Sequence, residues 1–284
     1  MVRYLFIILC AVTSVCANWQ GDLELYRAKM GEQTYELVMK QYQAFEIGQS
    51  LAIADPIIKQ IPIIENYEPV VDVASMHHHR ITVMNDADLL LAHECIEDID
   101  ARSPEHSKMR ASLFYALESM IKELDKLAVD FGYEVSFLEI KVFEGLRDLT
   151  TQKELFDSKM VIIMADNPGM THEQAYSETS KWVSPYIDNV PPHSTGGAID
   201  IHLWNDVTQS FCDMGRFNKG GSIAPTFSTD VRINEEQQKN RLLFLIAATR
   251  AGLTNYSFEF WHFSLGDRYA AFWRDEVCAK YGSF

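Results

Sequence analysis

Hydrophobic residues recur at helical spacing in two long stretches of the first half of the chain. The first stretch, residues 23–47, contains no proline and one interior glycine, Gly31, so it predicts a helix that can break at that glycine. The second stretch, residues 106–130, predicts a long amphipathic helix that Gly132 ends. The segment between them contains several prolines, so we expect it to be extended or looped.

After residue 130 the hydrophobic pattern changes to shorter segments of mixed period. Residues 134–143 alternate and are rich in β-forming residues, and Asn234 with Gln237 has the pattern of a reciprocal helix cap. The predicted strands are residues 134–143, 198–204 and 256–263, and the predicted helices are residues 149–165, 172–183 and 235–251. The residues between 206 and 231 are rich in glycine and predict loops.

This order of elements predicts an α+β fold, because strands and helices are mixed without regular alternation. We expect a small mixed or antiparallel sheet with flanking helices, preceded by a helical N-terminal lobe. The predicted division is a signal peptide at 1–17, the helical lobe at 18–130 packed on the rest, and the domain that carries the chemistry at 131–284. With 284 residues and 47% hydrophobic composition, the chain can bury one sizeable core.

The first residues have the pattern of an export signal. Arg3 supplies a positive charge, the run from Tyr4 to Val15 is almost wholly apolar, and Val15 and Ala17 fit a cleavage site before Asn18. The apolar run is shorter than the roughly 20 residues that a membrane-spanning helix needs. We therefore expect an exported protein, periplasmic or secreted, with no transmembrane segment in the mature chain.

The net charge of the chain bears on its binding partners, and its cysteine content bears on disulfide formation. The formal net charge is −15, and removal of residues 1–17 removes one arginine and no acid, which gives −16. Such a surface repels nucleic acid, so we expect no nucleic-acid partner. Three cysteines remain after cleavage, Cys95, Cys212 and Cys278, and the sequence does not decide whether two of them form a disulfide.

The first candidate chemical motif extends from Pro191 to Asp200. His193 follows two prolines that restrict its backbone, and Asp200 lies seven residues later on a predicted strand. Gly196 and Gly197 lie between them and allow the chain to turn so that both side chains face one point. Taken alone, this spacing favours a surface histidine and a strand-end acid.

The second motif is a carboxylate and an imidazole, Glu259 and His262, in a strand that is otherwise aromatic. Burying an unpaired carboxylate or imidazole among aromatic rings is costly unless the group is paired or binds a metal. Residues three apart on a straight strand point to opposite faces. Both side chains therefore reach one site only if the strand bulges or ends between them.

Together the motifs supply the residues of a catalytic zinc site. His193, Asp200 and His262 form a three-ligand set that leaves a fourth position open for water. Glu259 is placed to take a proton from that water. If the four residues converge, the chain is a hydrolase.

Two further residues are weaker candidates. Arg147 follows the predicted strand 134–143 and can stabilise an oxyanion, although an arginine at a strand end is more often a surface ion-pair residue. His202 shares a strand face with Asp200, so among the remaining histidines it is the best candidate for supporting a metal ligand.

These residues resemble the motifs of the bacterial D-alanyl-D-alanine dipeptidases, which are zinc enzymes related to D,D-carboxypeptidases and peptidoglycan L,D-endopeptidases. That family has a Ser-x-His-x-x-Gly-x-Ala-x-Asp motif and a later Glu-x-x-His, which correspond here to residues 191–200 and 259–262. Asp213-Met214-Gly215, followed by Phe217, is similar to the family's Met-Gly-x-x-Phe-Asp loop. The resemblance covers about residues 130–275.

The resemblance implies a function and a role for each site residue. It implies that His193, Asp200 and His262 bind one Zn²⁺ per chain, that Glu259 is the general base, and that Arg147 holds the oxyanion. The implied reaction is hydrolysis of the dipeptide D-alanyl-D-alanine to two D-alanines.

The chain departs from the family pattern at three positions. Pro191 stands where serine is usual, Asn218 where an acid is usual, and Asp148 where proline is common. The first two positions concern recognition of the substrate, so they bear on which peptide is hydrolysed more than on the metal.

Two alternatives remain open. A D,D-carboxypeptidase or endopeptidase of the same zinc family would act on a peptidoglycan-derived peptide in an open groove, whereas a dipeptidase needs a closed pocket. The chain can also be a non-catalytic zinc-containing binding protein, as hedgehog-type signalling domains are. The retained Glu259 argues against this last interpretation, because a structural site needs no base.

Overall fold

The computed structural model describes residues 18–92, 102–215 and 227–284 and has the predicted α+β class. Its helices are α1 (Trp19–Met30), α2 (Glu32–Glu46), α3 (Pro56–Lys59), α4 (Asp86–Ala92), α5 (Ala111–Leu127), α6 (Leu149–Asp166), α7 (His172–Trp182), α8 (Glu235–Arg250) and α9 (Arg268–Trp273). Its strands are β1 (Val70–Asp72), β2 (Ile81–Val83), β3 (Lys108–Arg110), β4 (Leu138–Glu144), β5 (Ala198–Asn205), β6 (Ser210–Phe211), β7 (Thr254–Tyr256) and β8 (Glu259–Ser264). Among these residues no helix has the length and apolar character needed to span a membrane.

A mixed sheet forms the centre of the fold. Its strand order is β2-β4-β5-β8-β7, and the short β6 pairs with β5. Strands β2 and β4 run parallel, and the other described pairs of this sheet are antiparallel. Strand β5 lies between β4 and β8 and is buried along almost its whole length, so any polar side chain on it needs a partner.

One hydrophobic core joins the sheet to the helices. Helix α5 packs against α8 and β4, and α8 is buried around most of its circumference because α1 and α2 also contact it. The residues before 130 therefore share this core, and they also supply β2 to the sheet. The division at residue 130 stays a prediction.

The predicted helices agree with the structure except at their ends. The stretch 23–47 is two helices, α1 and α2, separated at Gly31, whose φ of 75° is in the left-handed region that glycine adopts without strain. The helix predicted from residue 106 begins at Ala111, because residues 108–110 pair with β1 as strand β3. At α8 the predicted reciprocal cap between Asn234 and Gln237 is formed.

The single strand predicted over residues 256–263 is wrong. The segment is the end of a hairpin in which β7 ends at Tyr256, Ser257 and Phe258 make the turn, and β8 begins at Glu259. Ser257 is the one residue of a turn-forming type here, and a single serine in an otherwise aromatic segment is a weak signal. Contacts from elsewhere in the chain hold it: the carbonyl of Ser257 accepts a hydrogen bond from the backbone N–H of Ser228 (3.1 Å).

Candidate metal centre and active-site cavity

Two of the predicted metal ligands lie opposite each other on neighbouring strands. Asp200 on β5 is the antiparallel register partner of His262 on β8, so their side chains leave the same face of the sheet. Nδ1 of His262 is 3.0 Å from Oδ1 of Asp200, and both residues are buried. The sheet register alone therefore brings together two residues that are 62 positions apart.

The third predicted ligand, His193, reaches the same point from a tight turn. The turn His193–Thr195 ends at Gly196, which has a φ of 69°, and a Cβ on Gly197 would lie 2.6 Å from the carbonyl oxygen of Leu265. Both glycines are therefore required by the backbone path. Nδ1 of His193 lies 2.8 Å from the carbonyl oxygen of Gly145 and donates to it, which leaves Nε2 with a lone pair directed at the cluster.

The three facing atoms have the spacing of tetrahedral zinc ligands. Nε2 of His193 is 3.1 Å from Nδ1 of His262 and 3.4 Å from Oδ1 of Asp200. Ligands at the usual zinc distance of about 2.0–2.1 Å lie about 3.3 Å apart in a tetrahedron. Two imidazoles and a carboxylate are also a donor set that suits zinc. These residues can therefore hold a divalent cation.

The electrostatics of the cluster suit a cation as well. Burial lowers the pKa of His193, and the charge of Arg147 lowers it further against the opposing charge of Asp200, so this imidazole is neutral. Burial also lowers the pKa of His262, but the hydrogen bond and charge of Asp200 and the charge of Glu259 outweigh it and raise that pKa overall. The cluster thus stabilises positive charge between His262 and the two carboxylates.

Glu259 lies beside the three candidate ligands. Its Oε2 is 3.9 Å from Nδ1 of His262, so the side chains of Glu259 and His262 reach one site although they are three residues apart on β8. The β7–β8 ladder shifts register between these residues, which is the bulge that the sequence required. The carboxylate is close enough to the cluster to act on a water held there.

Arg147 is held between the same site and helix α6. Its backbone N–H donates to the carbonyl of His193 (3.2 Å), and its Nη1 donates to Oε1 of Gln152 (3.1 Å). Its Nε lies 3.6 Å from Oε1 of Glu144. Gln152 is fixed in turn, because its Nε2 donates to the carbonyl of Ser184 (2.6 Å). The guanidinium is therefore buried and oriented, unlike that of a surface arginine.

A cavity of about 250 Å³ contains all five of these residues in its lining. The sheet supplies the floor, and α6 and the end of α7 supply the wall, which includes Lys159 and Trp182. Tyr256 closes another side, where its hydroxyl donates to the carbonyl of Lys181 (2.8 Å). Burial and the charge of Glu259 raise the pKa of Tyr256, so its hydroxyl stays protonated. The cavity is close to the low end of the range of small-molecule sites, about 300–1,000 Å³.

The remaining sequence candidates lie elsewhere. The ring of His202 packs edge-on against Phe211 and Phe260, burial lowers its pKa to about 4, and the residue does not line the cavity. Cys212 and Cys278 are free thiols. Cys95, Phe217 and Asn218 lie outside the described residues.

The residues that sequence reasoning missed are the partners of Arg147. Glu144 lies three residues before it and Gln152 five residues after it, and both are buried. A buried guanidinium needs such partners, so their existence is implied once Arg147 is known to be buried. The sequence pattern offers no signal for that burial.

A buried His–Asp–His cluster with a carboxylate beside it at the floor of a cavity is an arrangement that metal-dependent hydrolases use. The family model described as D-ala-D-ala dipeptidase matches residues 118–279. The D-alanyl-D-alanine dipeptidase of Synechocystis sp. (strain PCC 6803) is 28% identical in an alignment 169 positions long, which covers 52% of this chain and 68% of that protein. The chain belongs to the D-Ala-D-Ala dipeptidase family, whose members are metal-dependent peptidases.

Proposed function

We propose that this protein is a zinc-dependent dipeptidase that hydrolyses D-alanyl-D-alanine to two D-alanines. The observation that carries the proposal is the convergence of His193, Asp200 and His262 within 4.8 Å of one another, with Glu259 beside them in a small cavity. Membership of the family and the similarity to a D-alanyl-D-alanine dipeptidase support the substrate.

Each site residue has a role in this reaction. His193 through Nε2, His262 through Nδ1 and Asp200 would hold the zinc, which supplies Lewis acidity and makes water more acidic. Glu259 takes a proton from the attacking water and returns it to the leaving amine. Arg147 stabilises the negative charge that develops on the scissile carbonyl oxygen.

The size and charge of the cavity support a free dipeptide. Among the described residues, a volume of about 250 Å³ suits a ligand of dipeptide size. The lining carries cations, Arg147 and Lys159, as well as acids, Glu144 and Glu259. A dipeptide at neutral pH is a zwitterion, so both of its charged ends find opposite charge in such a cavity.

The decisive experiment compares substrates on the zinc-loaded protein. We expect hydrolysis of D-Ala-D-Ala and little or none of a muramyl pentapeptide or of L-Ala-L-Ala. Hydrolysis of the pentapeptide alone would favour the D,D-carboxypeptidase or endopeptidase alternative. A zinc-loaded protein that is inert toward L,L, L,D and D,D dipeptides would favour the non-catalytic binding protein.

Glu259→Gln is the matched control, because it keeps the size of the side chain and removes the base. We expect kcat to fall by about 10³-fold, within the range for loss of a general acid–base group, while the zinc content stays near one per chain. Full activity of this variant would refute the assigned role of Glu259.

We also infer that the protein is exported after cleavage before Asn18, which N-terminal sequencing of the secreted or periplasmic form tests.

A further inference from the structure

The bulge in β8 is larger than a single extra residue. Asn255 on β7 pairs with Phe263, but the next residue, Tyr256, pairs with Glu259. Phe260, Trp261 and His262 therefore have no register partner on β7. We call residues 259–262 the β8 arch. The arch is the reason that Glu259 and His262 reach the same cavity, since a regular strand would direct them to opposite faces.

An arch of this kind leaves backbone carbonyl groups without the hydrogen bonds of a ladder. In the buried interior such groups need other partners. Here one side-chain nitrogen supplies them: Nδ2 of Asn255 lies 2.9 Å from the carbonyl oxygen of His262, 3.2 Å from that of Glu259 and 3.4 Å from that of Phe260. The two N–H groups of one amide thus connect the first and last residues of the arch.

The Asn255 side chain is itself fixed on its other sides. It is 3% exposed, its Oδ1 accepts a hydrogen bond from the hydroxyl of Ser228, and its backbone carbonyl accepts one from Nε2 of Gln41 on α2 (2.9 Å). The amide therefore cannot turn away from the arch without losing these contacts. An Asp at this position has the same shape but offers oxygen where the arch requires a donor.

We propose that Asn255 is a positioning residue of the active site, whose side-chain amide holds the β8 arch and so sets the placement of Glu259 against His262. The inference rests on the proposed function for the roles of those two residues. The hydrogen bonds between the Asn255 amide and the β8 arch do not depend on that function. Asn255 touches neither substrate nor metal in this scheme, and its effect passes through the backbone of the two residues that do.

The test compares Asn255→Asp with Gln238→Glu in the zinc-loaded protein. Both changes turn a buried amide donor into a carboxylate that faces oxygen, because Nε2 of Gln238 donates to Oδ2 of Asp22 (2.7 Å). Gln238 lies on α8 and does not line the cavity. We expect both variants to unfold at lower temperature, so thermal stability does not distinguish a positioning role from a structural one.

The site properties distinguish the two roles. For Asn255→Asp we expect kcat to fall by about 10²-fold with KM within threefold, the cost of a misplaced catalytic group. We expect zinc affinity, measured by chelator competition, to fall by about 10–100-fold, as for loss of a group that orients a ligand. The absorption spectrum of the Co²⁺-substituted protein should also change. Gln238→Glu should leave all three properties as in the unsubstituted protein.

Ser228→Ala gives a second, milder variant if Asn255→Asp does not fold. It removes the hydroxyl that orients the Asn255 amide and keeps the amide itself, so we expect changes of the same kind and of about three- to tenfold. A folded Asn255→Asp, or Ser228→Ala if only that variant folds, with unchanged zinc affinity, Co²⁺ spectrum and kcat would overturn the proposal. If no peptide proves to be a substrate, the proposed function fails, and the zinc and Co²⁺ measurements still decide the role of Asn255.

Discussion

The two sides of the cavity are built by different means. On the floor, Asp200 and His262 are placed by the register of β5 and β8, and the backbone of the sheet fixes their separation. On the wall, the Arg147 guanidinium is oriented by a side-chain hydrogen bond to Gln152 and by its proximity to Glu144. The pairing of Asp200 with His262 is thus set by backbone hydrogen bonds between strands, whereas the orientation of the Arg147 guanidinium depends on its side-chain partners.

The departures from the family pattern within the described residues, Pro191 and Asp148, change no candidate ligand. The candidate ligands and Glu259 match the pattern, while Asp148 differs from it at the start of the wall helix α6. Pro191, which also differs, lies two residues before His193 and is buried. The departures therefore leave the residues of the proposed reaction unchanged and alter neighbours of His193 and Arg147 in the sequence.

The largest effect should come from breaking the floor. Asp200→Asn removes the negative charge from the candidate ligand set and keeps its shape, so we expect zinc affinity to fall by more than the roughly 100-fold that loss of a supporting residue costs. Activity should fall with zinc affinity. A strong chelator should remove the zinc from the unsubstituted protein and abolish its activity. Zinc content by elemental analysis, together with kcat/KM, measures both.

Asp206→Asn is the control for that change, because Asp206 is exposed just after β5 and does not line the cavity. Its zinc content and activity should equal those of the unsubstituted protein. Tight zinc binding by Asp200→Asn would show that the cation is held elsewhere, and the distinction between floor and wall would then lose its basis.

A smaller effect should come from the wall residue nearest the chemistry. Arg147→Lys keeps the charge but loses the planar group that Gln152 orients, so we expect kcat to fall by about 10²-fold, as for removal of one oxyanion donor. Zinc content should not change, because Arg147 is not among the candidate ligands. Steady-state kinetics with zinc analysis tests this, and Arg250→Lys at an exposed helix end is the control. A loss of zinc from Arg147→Lys would contradict the separation of the two sides.

The sequence predicts the elements of the floor well, and for a physical reason. Regular hydrophobic periods report which face of a helix or strand is buried, and capping residues such as Asn234 report where a helix begins. Glu259 and His262 in an aromatic strand are a chemical signal, because such polar groups are costly to bury without a role, and the spacing from His193 to Asp200 becomes specific in combination with them. Four of the residues that the structure brings together could therefore be named from the sequence.

The details that the sequence does not predict depend on contacts between distant residues. The turn at Ser257 and Phe258 carries only one residue of a turn-forming type, Ser257, and its backbone is held by Ser228 and by the hydroxyl of Tyr269 (3.4 Å). The β8 arch is likewise held by a side chain from β7, Asn255, rather than by a local signal such as glycine. Contacts of this kind become visible only when the whole fold is assembled.

The smallest predicted effect concerns Asp148, the departure from the family pattern at the start of α6. Its carboxylate caps the helix by accepting hydrogen bonds from the backbone N–H groups of Thr150 and Thr151 (both 2.9 Å), and it also accepts from the hydroxyls of Thr151 (2.7 Å) and Ser103 (3.2 Å). An N-cap of this kind contributes about 1 kcal/mol. Proline, which is common at this position in the family, cannot cap the helix, so the departure strengthens the wall without adding a catalytic group.

We therefore expect Asp148→Ala to lower the free energy of unfolding by about 1 kcal/mol, about 2–4 °C in Tm, and to leave kcat and KM within twofold.

The hydrogen bond from the Thr151 hydroxyl and those from the Thr151 N–H and Ser103 lower the pKa of Asp148 against the effect of burial. Because the folded pKa is below the unfolded value, the stabilisation is complete above the usual Asp pKa of about 3.9 and disappears as the pH falls through the folded pKa. Unfolding in urea at pH 7 and near pH 3 should show a smaller difference between the two proteins in acid. Asp148→Asn keeps the capping oxygen and should lose less stability at pH 7, whereas a tenfold fall in kcat for Asp148→Ala would place Asp148 in the chemistry rather than in the scaffold of the wall.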